Sequence, residues 1–303
     1  MKTIKKIGKW MGYALVSILL ICLALYGYIY WNIEQRLNKV YPTATPAITI
    51  PSDSASIARG EHLFVVHGCK DCHGTDLKGR YITDETLIGK VAAQNITKGK
   101  GGLPVDYTDQ DWLRVLKHGV NREGKTLIIM PANETTKLAD NDLADIIAYC
   151  KSRPPKDNEL DKNPELGPVL KALIAFDKLE LLPAEHIDHQ LNPIAEKKAE
   201  VSVEYGAYLT TNCAACHRTN FQGGPPLAPG APEVPNITSS GRVGKWSETE
   251  FMQTLRTGTT PDGHKIDSTQ MPWPRTREFS DVELKAVREF LLSLPKAETL
   301  VAK

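Results

Sequence analysis

One pattern occurs twice in this chain, and that repetition restricts what each half can become. CKDCH at Cys69–His73 returns as CAACH at Cys213–His217. Asn95-Ile96-Thr97 returns as Asn236-Ile237-Thr238, and Met130-Pro131 as Met271-Pro272, both 141 residues on. The cysteine pairs are 144 apart, so a small gap separates the registers. Leu116 and Gly119 answer to Leu255 and Gly258, and Tyr149 to Phe290. Self-similarity of this kind marks a duplicated domain. We place the copies at 55–153 and 202–295, with a linker over 154–201 and a tail over 296–303. The chain has 303 residues, 41% of them hydrophobic, which is enough for two cores.

Local signals within each copy are helical. Thr108 precedes WLRVL with Asp111 three residues on, and Ser247 precedes FMQTL with Glu250 three residues on. Both read as N-caps followed by a reciprocating acid. Ser280-Asp281-Val282-Glu283 opens a further helix, with Leu284, Val287, Leu291 and Leu294 on or near one face. Its counterpart starts near Asp140 and carries Leu143, Ile146, Ile147 and Tyr149. Gly- and Pro-rich loops such as TKGKGGLP and FQGGPPLAPGAP lie between, and no convincing alternating strand is visible. Each copy is expected to be a bundle of about three helices whose long loops wrap around something.

C-x-x-C-H names that something as haem. Two thiols add to the vinyl groups on one porphyrin edge, and the adjacent histidine is delivered to the iron. Zinc would want four ligands close together, whereas these pairs stand in separate copies. A disulfide-shuttling CxxC would want a βαβ setting, which is absent. The chain is therefore expected to bind two haem c groups through Cys69, Cys72, Cys213 and Cys216, with His73 and His217 on the irons.

The ends of the chain bear on location. Lys2, Lys5, Lys6 and Lys9 precede GYALVSILLICLALYGYIYW, about 20 apolar residues without a charge. That run reads as a membrane anchor over 1–31, uncleaved because no small-x-small site follows it. The lysines place its start in the cytoplasm. The rest of the chain would then face the periplasm, an oxidising compartment. Residues 32–54, with Pro42, Pro46 and Pro51, read as a tether. The formal net charge of +1 does not suggest a nucleic-acid binder.

The chain resembles the membrane-anchored two-haem c-type cytochromes related to the cytochrome subunits of periplasmic alcohol and sugar-acid dehydrogenases. In the second copy YGAYLTTNCAACH, PNITSSGRVGKWSETEF and TGTTPDGHKIDSTQMPWP carry the likeness, and the connector LGPVLKALIAFDKLELLPAEHIDH adds to it. The likeness covers roughly 55–295. The first copy departs in two places: Tyr107 stands where Trp246 stands in the second, and no proline follows His73 closely. The resemblance implies an all-α fold, tandem class I cytochrome c domains behind a transmembrane helix. It also implies that Asn95 and Asn236, with Tyr107 and Trp246, donate to the haem propionates.

Met130 and Met271 stand at matching places before a proline and would complete His/Met ligation, which raises the potential and fills the iron. His62, His67, His118 and His264 are unmatched between copies and read as surface or local hydrogen-bonding residues. For His217 the carbonyl of Pro225 or Pro226 is the expected partner of the second ring nitrogen. Cys150, matched to Leu291, reads as a buried small hydrophobe. Leu166, Val169, Leu170, Leu173 and Ile174 have helical spacing and are expected to pack across both copies. No cluster for substrate chemistry is visible, so the chain is expected to be an electron carrier rather than an enzyme. Its donor and acceptor would be redox proteins: a dehydrogenase of which it is a subunit, or a terminal oxidase that it serves as a free relay. A two-haem peroxidase, which needs an open iron, fits less well with two methionine ligands.

Overall fold

The computed structural model describes residues 2–45, 47–190, 192–227 and 230–295, with side chains from residue 6. The side chains of Lys2 and Lys5, Pro46 of the tether and the 296–303 tail lie outside the described residues. In chain order the helices and strands are α1 Lys2–Asn38, α2 Ser54–Val66, α3 Cys69–His73, β1 Arg80–Glu85, β2 Gly89–Ala93, α4 Asp109–Leu113, α5 Ala132–Thr135, α6 Asp140–Ser152, β3 Glu165–Leu166, α7 Pro168–Ala175, α8 Val203–Leu209, α9 Ala214–His217, α10 Glu248–Thr257, α11 Trp273–Thr276 and α12 Asp281–Ser293. They pack as two compact units. One comprises 1–45, 78–136 and 157–191, the other 46–77, 137–156 and 192–303.

In the first unit α1 is the long element. Its 37 residues span about 55 Å at ~1.5 Å per residue, well beyond the ~30 Å of a bilayer core. It is the one helix among the described residues long and apolar enough to cross a membrane. The helix does not stop at Trp31; it runs on to Asn38, into the segment read as the start of a tether. Ile33 is buried in that last stretch, with Ile29 and Leu37 half-buried beside it, against Val91 of β2, Leu166 of β3 and Leu170 and Ile174 of α7. Arg36 secures the junction: Nη1 donates to the Ile174 carbonyl at 2.8 Å and Nε to Glu185 Oε1 at 2.9 Å. The apolar face of α7 is thus taken by α1 and the sheet of its own unit, in place of the packing across both copies that its helical spacing suggested.

The sheet itself is an addition to the all-helical expectation. β1 and β2 pair antiparallel with an irregularity between Tyr81 and Thr83, and β2 pairs antiparallel with β3. His118 of the same unit differs from the surface reading. It is fully buried, stacked on His189, with the two Nδ1 atoms 3.1 Å apart. Burial first, and then His189, pushes His118 down to about 4, so it stays neutral.

Two helix pairs form the second unit, α2 with α6 and α8 with α12. Gly60 lets α2 approach the Asp145 carbonyl of α6, and Gly206 lets α8 approach the Ala286 carbonyl of α12. The expected caps are present. Ser247 with Glu250 and Ser280 with Glu283 form capping boxes here, as Thr108 with Asp111 does in the first unit. Cys150 is buried on α6 as a small hydrophobe. Within the first pair Arg59 of α2 binds Asp142 and Asp145 of α6, and Tyr208 of α8 links the two pairs by donating to Asp142 at 2.5 Å.

His62 of α2 meets buried Glu283 of α12 at 2.8 Å. The Glu283 carboxylate raises His62 above its ordinary 6.5, against burial. Burial works to raise Glu283, but the His62 imidazole and the Ser280 cap outweigh it and hold Glu283 below its ordinary value. The histidine's contribution is therefore complete below pH 6.5 and is lost as pH rises through its higher folded value. The carboxylate's contribution is lost as pH falls through its lowered folded value. Thermal melts across pH should show stability declining above about pH 6.5, and His62→Gln should flatten that decline. An unchanged slope in the variant would show that other groups titrate there.

Candidate haem sites

The segments that carry the cysteines fold alike in both copies. In each, the C-x-x-C-H stretch makes one helical turn, α3 in the first copy and a 3-10 turn running into α9 in the second. That turn sets the two thiols on one side, the arrangement two thioether bonds to one porphyrin edge require. The chain then leaves along the same path. Gly74 and Arg218 have φ 77 and 68 with ψ 174 and 166. Leu77 and Phe221, both buried, have φ 59 and 58, and Gly79 and Gly223 have φ 72 and 69. Non-glycine residues enter this left-handed region at a cost of about 1 kcal/mol or more. Two such residues at matched places show that the exit from the histidine is held by its surroundings in both copies.

All the second-copy residues belong to the second unit: Cys213, Cys216, His217, Asn236, Trp246 and Met271. His217 is 7% exposed and its Nδ1 lies 3.0 Å from the Pro235 carbonyl. A carbonyl can only accept, so Nδ1 carries the proton and the Nε2 lone pair is left for a metal. Burial lowers the His217 pKa against the opposing Pro235 bond, which keeps the ring neutral as a ligand must be. The partner is Pro235 and not Pro225 or Pro226: the Pro225 carbonyl accepts from Arg218 at 3.2 Å instead. Backbone pairing of Gly224 with Val234 and the bond from Ile237 N to Phe221 O bring Pro235 back to the histidine.

Met271 is held by its backbone. Its N donates to Asp267 O at 3.0 Å and its O accepts from Trp273 N at 2.7 Å. Trp273 Nε1 donates to Ile266 O at 3.1 Å, and Thr276 Oγ1 to Leu255 O at 2.8 Å. The first unit repeats two of these supports around Met130: its O accepts from Ala132 N at 2.8 Å, and Thr135 Oγ1 donates to Leu116 O at 2.5 Å. Thr135 and Thr276 escaped the sequence reading although they stand 141 apart, the same spacing as the methionines. Ile129, just before Met130, has φ 67, a strained value for a β-branched residue, and its N donates to Leu181 O at 2.9 Å.

Of the first-copy residues, Cys69, Cys72 and His73 belong to the second unit, and Asn95, Tyr107 and Met130 to the first. Asn95 Oδ1 accepts from Thr97 N and Oγ1 at 2.9 and 2.8 Å; Asn236 Oδ1 accepts from Thr238 N and Oγ1 at 2.8 Å each. Both asparagines thus lock their own loops through the oxygen. Their amide nitrogens remain donors, and that of Asn236 reaches Ser240 at 3.2 Å. Tyr107 packs edge-on to Trp112, and its hydroxyl donates to the Asp111 carbonyl at 3.4 Å. Burial, then the Asp111 carboxylate, pushes Tyr107 up to about 12. The Trp246 carbonyl accepts from Arg288 of α12.

The donor chemistry suits haem c. None of Cys69, Cys72, Cys213 and Cys216 is in a disulfide, and all four are half-buried. Burial pushes Cys69 up to about 12 and Cys213 to about 11, which disfavours thiolate. Among the described residues no three His, Cys, Asp or Glu side chains converge as a zinc site would need.

Duplicated helical domains, each with a covalent haem-attachment turn, define a tandem c-type haem protein. The Cytochrome c family model matches residues 57–154 and 203–295, more than half of the chain, and the chain belongs to that family. With one attachment sequence in each matched domain, it carries two haem c groups and works in electron transfer. Among its relatives, the fructose dehydrogenase cytochrome subunit of Gluconobacter japonicus is 25% identical over 80% of this chain and 54% of its own length. The cytochrome c subunit of the alcohol dehydrogenase (quinone) of Gluconobacter oxydans (strain 621H) is 24% identical over 88% of this chain and 60% of its own. A diheme cytochrome c-type protein of Cereibacter sphaeroides is 25% identical over 80% and 86%. The chain therefore spans little more than half the length of the dehydrogenase subunits it matches.

Proposed function

We propose that this chain is the membrane-anchored electron-transfer subunit of a dehydrogenase, with two class I cytochrome c domains facing the periplasm and both irons ligated by histidine and methionine. The observation that carries it is the matched support of both sites: the same exit after His73 and His217, and the same carbonyl and threonine bonds around Met130 and Met271. Haem supplies a one-electron change between ferric and ferrous iron. The chain's own residues do the rest. Cys69 and Cys72, and Cys213 and Cys216, tether each group. Pro235 orients His217 and leaves its Nε2 as the ring's metal donor, and the Met271 thioether would supply the second ligand. The amides of Asn95 and Asn236, with Tyr107 and Trp246, serve the propionates. The apolar stretch of α1 keeps the assembly at the membrane.

The match to the diheme protein over 86% of that protein's length favours a second reading, a free-standing relay between two redox proteins, with a terminal oxidase as acceptor. Mild solubilisation of membranes and identification of what purifies with the chain separates the two. A stoichiometric dehydrogenase subunit is the expected result, and the chain alone would support the relay. Mass spectrometry of the denatured full chain should show two haems still attached. One or none would overturn both readings.

A further inference from the structure

Arg275 follows Met271 by four residues and sits on α11, in the second copy. Its side chain leaves that copy's own loop and meets the first attachment turn. Nη2 and Nε donate to Asp71 Oδ2 at 2.5 and 3.1 Å, and Asp71 lies between Cys69 and Cys72. The guanidinium also covers Gly68, where a Cβ would stand 2.4 Å from the Arg275 Cζ. A separate bond joins the two attachment segments themselves: Asn212, directly before Cys213, donates to the His67 carbonyl at 3.4 Å. All these residues lie in the second unit. Arg275 thus stands four residues after Met271 in one copy while its guanidinium lies against the attachment turn of the other.

We propose that Arg275 is a positioning and charge-setting residue shared by the two haems: through Asp71 it clamps the first attachment turn against α11 of the second copy, and its charge sets both reduction potentials in common. This rests on the two-haem reading above. With haem bound, the chain would support one-electron exchange between its two sites, and Arg275 and Asp71 would set the charge around them with no bond made and no proton moved. Positive charge favours the ferrous state of a nearby haem, and the Asp71 carboxylate offsets part of that effect. The pair is only partly exposed on the arginine side, so the effect should survive moderate salt while shrinking as salt rises.

The test is potentiometric titration of the full holo-protein, followed by its visible spectrum. Arg275→Gln should lower both components together, Asp71→Asn should raise both, and Arg275→Lys should recover most of the wild-type values. Opposite signs from the two partners are a readout that loss of packing alone would not give. A shift confined to one component, or shifts of the same sign in both variants, would overturn the proposal. Failure to find two haems in the wild type would overturn the two-haem reading with it; two haems with unmoved potentials would overturn this proposal alone.

Discussion

Met271→Ala should yield a protein that keeps both covalent haems yet, once reduced, binds one carbon monoxide per chain at neutral pH, where the wild type binds none readily. The thioether is the only part removed. The Met271 backbone stays tied to Asp267 and Trp273, and Thr276 still holds Leu255, so the loop has its own supports without the side chain. The other haem should stay low-spin, because Met130 is supported by a separate set of bonds. Met271→His keeps six ligands but replaces a thioether with an imidazole, which favours ferric iron. One component of the titration should then move down, by a sizeable part of the ~0.8 V over which axial ligands set haem potentials. An unmoved titration in Met271→His would remove Met271 from the ligand set. Stoichiometric carbon monoxide binding by the wild type would favour a catalytic iron over a relay.

What the sequence revealed here depended on how local each signal was. The capping boxes of α4, α10 and α12 are complete within four residues, and each is present as expected. The attachment motifs are equally local, and their five residues fix the chemistry. The hairpin of β1 and β2 was missed because its burial hardly alternates: most of RYITDE is exposed or half-buried, and only Val91 and Ala93 of GKVAA are buried. The last turns of α1 were missed for a related reason. Glu34 and Arg36 look like the end of an apolar run, yet Ile29, Ile33 and Leu37 keep helical spacing and find a core in α7 and the sheet. Pro235 lies 18 residues from His217 in sequence, and the left-handed turn at Phe221 and Gly223, with the pairing of Gly224 and Val234, brings it back. No short window could reveal that contact. Arg275 and Asp71 are 204 residues apart, and the repeat pattern says nothing about contacts between copies.

Gly206→Ala should destabilise the holo-protein although alanine is the better helix former. On propensity alone the change gains about 1 kcal/mol. Sterically, the new Cβ would stand 2.0 Å from the Ala286 carbonyl oxygen, 2.6 Å from its carbon and 2.7 Å from the Phe290 Cβ. Two of these are backbone atoms of α12, so no rotamer change relieves the clash; the helices must separate. Overpacking of this kind costs about 1–3 kcal/mol and at times more, so a net loss of up to ~2 kcal/mol is expected for Ala. Valine, which adds two more carbons at the same crossing, should lose more than ~3 kcal/mol. Gly60 repeats the arrangement 1.9 Å from the Asp145 carbonyl, so Gly60→Ala should behave alike in the first copy. Gly263→Ala serves as control: its φ of +83 is strained for alanine, but nothing lies within 4 Å. That change should cost only the ~1–2 kcal/mol of the left-handed backbone, without widening a helix crossing. Denaturant titration with the haems attached reads all four variants. A rise in midpoint for Gly206→Ala would mean that propensity outweighs the contact and that the crossing of α8 and α12 is looser than 2.0 Å implies.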